Sequence, residues 1–207
     1  MAARWDRLAP LSGIAAVVLW CLSLFIVEGV TNPPSENATP ERALAYFNEE
    51  EVGIFASSFL FALGSLLFLW FVGSLRAALV AAERGVARVS NIAFAAGVGF
   101  SLLALLFALP PSVGAFSKET IGPSAAEALW YLDDVFFVAA QFTAIPLLVA
   151  TGLVAWRTGV LPRWLAGLSL LVAAVLLFPL GGVFALGIGV PLWTVATSVV
   201  LWRRAEP

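Results

Sequence analysis

The chain has 207 residues, 61% of them hydrophobic and only 12% charged, with a net charge of −2. A soluble domain carries about 25% charged and about 45–50% apolar residues, and a domain this small cannot hide so much apolar side chain from water, so a water-soluble fold is excluded and lipid is the natural solvent. Histidine is absent and cysteine occurs once, which removes the usual haem and metal ligand, the commonest proton shuttle near neutral pH and any intramolecular disulfide.

A helix needs about 20 apolar residues to cross roughly 30 Å of hydrocarbon. The first such run covers residues 11–30, behind Arg4 and Arg7. It is too long for the core of a secretion signal, and no small-residue cleavage site follows before Glu28 and the turn at Asn32, Pro33 and Pro34. It is therefore expected to stay as an anchor, with Cys21 an apolar filler inside it. In the loop beyond, Thr39 suits an N-cap, Pro40 a first helical turn and Glu41 the positive end of a helix dipole. A short helix is expected through Ala43, Leu44 and Phe47 to Glu49, Glu50 and Glu51, its apolar side resting on the bilayer surface or the bundle. The match to a glycosylation acceptor at Asn37, Ala38 and Thr39 is read as chance, because Pro40 follows it.

The second span is expected over 52–75 and the third over 89–109, where Ala93, Gly97 and Ser101 form a four-spaced face of small residues. Ser124 and Glu127 have the spacing of a capping box, which starts the fourth helix well ahead of its expected span at 135–156. From Trp164 to Trp202 no charge occurs, about twice the length one span requires. Two short spans fit, 164–181 and 184–202, with a break at Pro179, Leu180, Gly181 and Gly182. Pro191 is expected to kink the sixth helix, and Ala185 with Gly189 gives it a second small-residue face. Such faces let helices approach closely, within one bundle or across a homodimer. Trp70, Trp156, Trp164 and Trp202 fall together at one set of span ends, as interfacial tryptophans do.

Charge fixes the expected orientation. Of the 11 Lys and Arg residues, only Arg42 and Lys118 lie in the loops after spans one and three. Arg4, Arg7, Arg76, Arg84, Arg88, Arg157, Arg163, Arg203 and Arg204 lie in the tails and the remaining loops. The positive-inside rule then puts both termini and every arginine-bearing loop in the cytoplasm. Glu36, Glu41, Glu49, Glu50, Glu51, Glu119, Glu127, Asp133 and Asp134 all fall on the other side. The expected fold is an all-α polytopic bundle of six transmembrane helices in a single domain.

Polar groups within spans are the default functional candidates. Glu127, Asp134 and Gln141 are spaced by seven, which sets them on nearly one helical face, with Trp130 and Tyr131 between them and Glu28 at the end of span one. In one reading Glu28, Trp130, Asp134 and Gln141 form an outward-facing pocket for a cation or small amine. In the other, the acids stay at headgroup level and Gln141 bonds to a neighbouring helix through Ser57 or Ser58. No charge lies deep in any span, which weighs against driven transport. Pro146 and Pro179 are read as kinks whose freed carbonyls are satisfied by neighbours.

Two segments carry a family resemblance: Thr39, Pro40 and Glu41 through Tyr46 and Phe47, and Thr158 through Leu165, the connector ahead of span five. In these and in overall layout the chain resembles actinobacterial six-span membrane proteins of unassigned function. The resemblance implies a bacterial plasma membrane and six helices, and it brings no catalytic residues. Catalytic, cofactor and metal residues are thus expected to be absent, and nucleic acid is not an expected partner because the basic residues are scattered over short loops. Three functions compete. A non-enzymatic binding or assembly component, with the bilayer and a protein partner or second copy as its contacts, stands first. A small transporter or channel using the acidic pocket is the alternative. A lipid-modifying enzyme using Asp133 and Asp134 stands last, since adjacent helical residues point about 100° apart.

Overall fold

A computed structural model of the chain describes residues 8–35 and 37–204. Arg4, Arg7 and Glu36, which contribute to the charge pattern, lie outside the described residues. Among the described residues there is no strand. A 3-10 turn at Ala9–Leu11 leads into α1 (Ser12–Gly29), followed by α2 (Pro40–Glu49), α3 (Glu51–Glu83), α4 (Arg88–Phe107), α5 (Leu109–Phe116) and α6 (Pro123–Thr158). The chain ends with α7 (Arg163–Leu176), α8 (Pro179–Phe184), a π-helical turn at Ala185–Gly189 and α9 (Val190–Arg204). Five stretches are long and apolar enough to cross a membrane: Ala9–Gly29, Glu51–Glu83, Arg88–Phe116, Pro123–Thr158 and Gly181–Arg204. The long helices leave large apolar side chains uncovered, with Phe25 at 68%, Phe59 at 69% and Phe142 at 63% exposure. Ala16, Ser65, Ala93, Ser101, Ala144 and Ser169 are buried. Small residues inside and oil-like ones outside are the pattern of a helix bundle whose solvent is lipid.

Several boundaries differ from the sequence expectation. The helix that carries the expected span over 52–75 continues to Glu83, because Ala77, Ala78, Leu79, Ala81 and Ala82 are strong helix formers. Arg76 need not end it, since its guanidinium lies 5.1 Å over the Phe94 ring. Left-handed backbone at Arg84 (φ 50°) and Gly85 (φ 91°) then breaks the helix. Glu83 caps the next one: its Oε1 accepts from Val89 N at 3.0 Å, and its Oε2 accepts from Ser90 N at 2.7 Å and from the Ser90 hydroxyl. These are the donors that a helix start otherwise leaves unpaired.

The third stretch is interrupted after Phe107 and resumes as α5, with prolines in its first turn. The fourth helix begins at Pro123, so Ser124 sits inside the first turn rather than ahead of it. The fourth helix runs through Pro146. The break in the last hairpin falls at Leu177 and Phe178, and Pro179 opens the following helix, where its missing N–H costs nothing. Pro191 cannot bond four residues back, and the backbone ahead of it widens into the π-helical turn, with Val190 N–H reaching Ala185 O. The fifth apolar helix, α7, has 14 residues, or about 21 Å.

The chain divides into two compact units. One comprises the described residues up to Val17, Leu66–Ser101 and those from Ala140 onward. It contains Arg76, Arg84, Arg88, Arg157, Arg163, Arg203 and Arg204, with Glu83 the acid among its described residues. Its core centres on Trp193, fully buried, whose indole N–H donates to Ser169 Oγ at 2.7 Å and whose ring meets Phe71 edge-on at 6.0 Å. Gly97 lies against Val72 and Gly189 against Val172, so both small-residue faces make contacts inside this unit. Arg204 Nη1 donates to the carbonyls of Gly159 at 3.3 Å and Val160 at 2.5 Å. The end of α9 is thereby tied to the connector that precedes α7.

The second unit comprises Val18–Ser65 and Leu102–Ala139. Glu28, Glu41, Glu49, Glu50, Glu51, Glu119, Glu127, Asp133 and Asp134 belong to it, with Arg42 and Lys118. Thr39 Oγ1 accepts from Arg42 N at 3.3 Å as the N-cap of α2. The helix buries the stripe Ala43, Tyr46 and Phe47, with Leu44 at its edge, against Ile54, Ala115 and Ala126. Lys118 Nζ pairs with Glu51 Oε2 at 2.6 Å and Arg42 with Glu49 at 3.5 Å. The short helix after α1 is thus packed into a core of its own.

Candidate ligand-binding site

The acidic unit contains a cavity of about 470 Å³ among α1, α2, α3, α6 and the α4–α5 junction. Ser23, Val27 and Glu28 come from α1, Ser57, Ser58 and Phe61 from α3, Tyr46 from α2, Phe107 from the end of α4, and Trp130 and Asp133 from α6. The turn at Pro33 and Pro34 also faces it. Tyr46 and Trp130 meet edge-on at 5.5 Å, and Phe61 and Phe107 lie 5.2 Å apart. The hydroxyl of Ser23 donates to the Ser57 carbonyl at 2.8 Å and that of Ser57 to the Ile54 carbonyl at 3.0 Å, so α1 and α3 are joined beside the cavity.

Tyr46 organises the rim. Thr31 gives its hydroxyl hydrogen to the Val27 carbonyl at 2.7 Å, leaving its oxygen to accept from the Tyr46 O–H at 3.3 Å. Burial, and after it the carboxylates of Glu50, Glu28 and Asp133, push the Tyr46 phenol above its usual range. Above about pH 10 an unfolded tyrosine releases its proton while the folded Tyr46 retains it. Its contribution to stability is complete below that pH and is lost as pH rises further. The melting temperature of the protein in detergent, followed from pH 8 to 11, should therefore fall more steeply for the native chain than for Tyr46→Phe. At neutral pH the same variant should lose about 0.5–1.5 kcal/mol for the missing hydrogen bond. Parallel pH curves for the two proteins would exclude this role.

The four residues expected to form a pocket separate. Glu28 and Trp130 line the cavity together. At the Asp pair it is Asp133 that lines it, while Asp133 Oδ1 accepts from Asp134 N at 2.9 Å. Gln141 bonds neither to the acids nor to Ser57 or Ser58. It is buried, and its Nε2 donates to Leu176 O at 2.6 Å, capping the carboxyl end of α7. Gly182 lies beside that side chain, and a Cβ there would collide with the Gln141 amide. Gln141 therefore satisfies a carbonyl freed by the break at Leu177.

Tyr46, Phe61 and Phe107 were missed from the sequence, and Asp133 was weighed with Asp134 for interfacial chemistry but not placed in the pocket. The stripe Ala43, Tyr46 and Phe47, at spacings of three and four, is the signal that could have flagged Tyr46. No family model, curated protein or solved structure matches the chain. Among the described residues no group of three His, Cys, Asp or Glu is placed to hold a metal ion. The cavity places two carboxylates beside π faces that present negative charge, a setting that attracts a cation with apolar substituents.

Proposed function

We propose that the chain is a non-enzymatic binding protein of the bacterial plasma membrane that takes a small organic cation into the cavity of its acidic unit. The observation that carries this reading is the shared lining of Glu28 and Asp133 with Tyr46, Trp130, Phe61 and Phe107. Carboxylates supply the counter-charge, and aromatic faces supply contact that a small, strongly hydrated metal ion would not use. The absence of ionisable side chains from the middle of the long helices supports binding over driven transport.

The proposed topology has six crossings, cytoplasmic termini and a cavity open to the outside. The positive-inside rule supports it, with arginines gathered in one unit and acids in the other. The bond from Arg204 to Gly159 and Val160 supports an even number of passes after α6, because the chain comes back to where it left. The short α7 is then one of those passes. A bacterial plasma membrane is supported by the resemblance in the two segments around Thr39 and Pro162.

Choline and its neutral carbon isostere provide the test, by isothermal titration into the detergent-solubilised chain. Choline should bind and the isostere should not. Asp133→Asn combined with Glu28→Gln should weaken choline by about tenfold or more, because each charge-assisted contact contributes about 1.5–3 kcal/mol. Equal binding of the two compounds, or an unchanged affinity in the double variant, would sink the proposal.

A further inference from the structure

The arginine-rich unit has a polar pocket of its own, distinct in residues and sign from the cation cavity. It measures about 260 Å³ and is lined by Glu83, Arg84, Val86, Ala87, Arg88, Val89, Val154, Arg157 and Thr158. Three guanidinium-bearing residues thus face one small space from three places: the end of α3, the start of α4 and the last turn of α6. The turn that brings Arg84 and Arg88 to it is held in left-handed backbone at Arg84, Gly85 and Ala87. Among the described residues none of these three guanidinium groups is engaged in an ion pair or hydrogen bond. The one carboxylate, Glu83, has both oxygens engaged by Val89 and Ser90. Glu83 also attracts Arg157 electrostatically, and with three guanidinium groups to one carboxylate the pocket keeps an excess of positive charge.

We propose that this pocket holds the phosphate of an anionic phospholipid headgroup. Guanidinium groups present paired donors that match phosphate oxygens. Basic pockets between helices at a membrane surface are where such headgroups bind. The volume suits a phosphate group, below the roughly 300–1,000 Å³ of drug-sized ligand sites. Val86 favours a lipid over a free anion: it is 89% exposed, at the tip of the turn between Arg84 and Arg88. An apolar side chain beside cations fits the boundary between headgroups and acyl chains, whereas a site for a soluble anion has no use for it. The inference rests on the membrane reading and not on the cation site.

The test uses the full chain in detergent, offered equimolar phosphatidylglycerol and phosphatidylcholine with the same acyl chains, with retained lipid read by native mass spectrometry. Phosphatidylglycerol should be retained in preference, and each of Arg88→Gln and Arg157→Gln should lower its retention roughly fivefold. Arg203→Gln, which removes the same charge outside the pocket, should leave it unchanged. All three positions are exposed, and gel filtration checks that the variants stay folded. Equal retention of the two lipids, an equal loss in Arg203→Gln, or wild-type retention in both pocket variants would overturn the proposal. Displacement of phosphatidylglycerol by millimolar inorganic phosphate would overturn it in favour of a soluble anion.

Discussion

Trp193→Ala is expected to lower the stability of the fold by about 3 kcal/mol, the low end of the cost of emptying a large buried aromatic site. Trp193 is fully buried, lies edge-on to Phe71 and donates to Ser169. Removing the ring leaves a void between α3, α7 and α9 and takes away the donor to Ser169 Oγ, whose own hydrogen stays on the Leu165 carbonyl at 2.8 Å. In lipid the loss is mainly of packing contacts, since the denatured helices in the membrane remain in an apolar solvent. Trp193→Phe retains much of the volume and should cost about 1 kcal/mol, the share of the hydrogen bond. Reversible unfolding with a denaturing detergent measures both. The assignment of Trp193 as the anchor of this core fails if the alanine variant unfolds with the wild type.

Gly114→Ala is expected to destabilise by about 1–3 kcal/mol, the usual cost of overpacking. A Cβ at Gly114 would collide with the ring of Phe47, which is fully buried and packed beside Tyr46, with no room to give way. Gly73→Ala is the control, for no atom lies within 4 Å of its added Cβ. In a helix that change should stabilise by about 0.5–1 kcal/mol. Thermal melts in detergent separate the two, and an equal response would show that the contact between α2 and α5 is not tight. Because Tyr46 borders the cation cavity, Gly114→Ala should also weaken choline binding, whereas Gly73→Ala should not.

The sequence made the helical class and the separation of arginines from acids legible, because hydropathy and charge are local properties that any chain in lipid must satisfy. The cap at Thr39 was legible for the same reason, since a capping residue and its donor lie three positions apart. What failed was long-range. A spacing of seven selected Asp134, yet Asp133 lines the cavity, because which side of α6 faces inward depends on where α1 and α2 stand. Gln141 looked like a ligand contact and is a cap for Leu176, 35 residues away, and no local pattern announces such a pairing. The expected span over 52–75 did not show how far its helix runs, because the alanines beyond Arg76 carry α3 on to Glu83. The break expected at Pro179 to Gly182 lies at Leu177 and Phe178, since Pro179 was read as part of a turn when it opens a helix.

The wide turn at Ala185–Gly189 gives the last helix one residue of slack. A π turn takes in an additional residue without rotating the helix beyond it, so the azimuth of Trp193, Thr194 and Thr197 is set by that loosened coil. Were the coil to tighten to ordinary pitch at constant chain length, those side chains would swing by roughly 100° and leave Ser169 facing a different residue. The phase of the whole carboxyl-terminal helix is thus governed by five residues at its start.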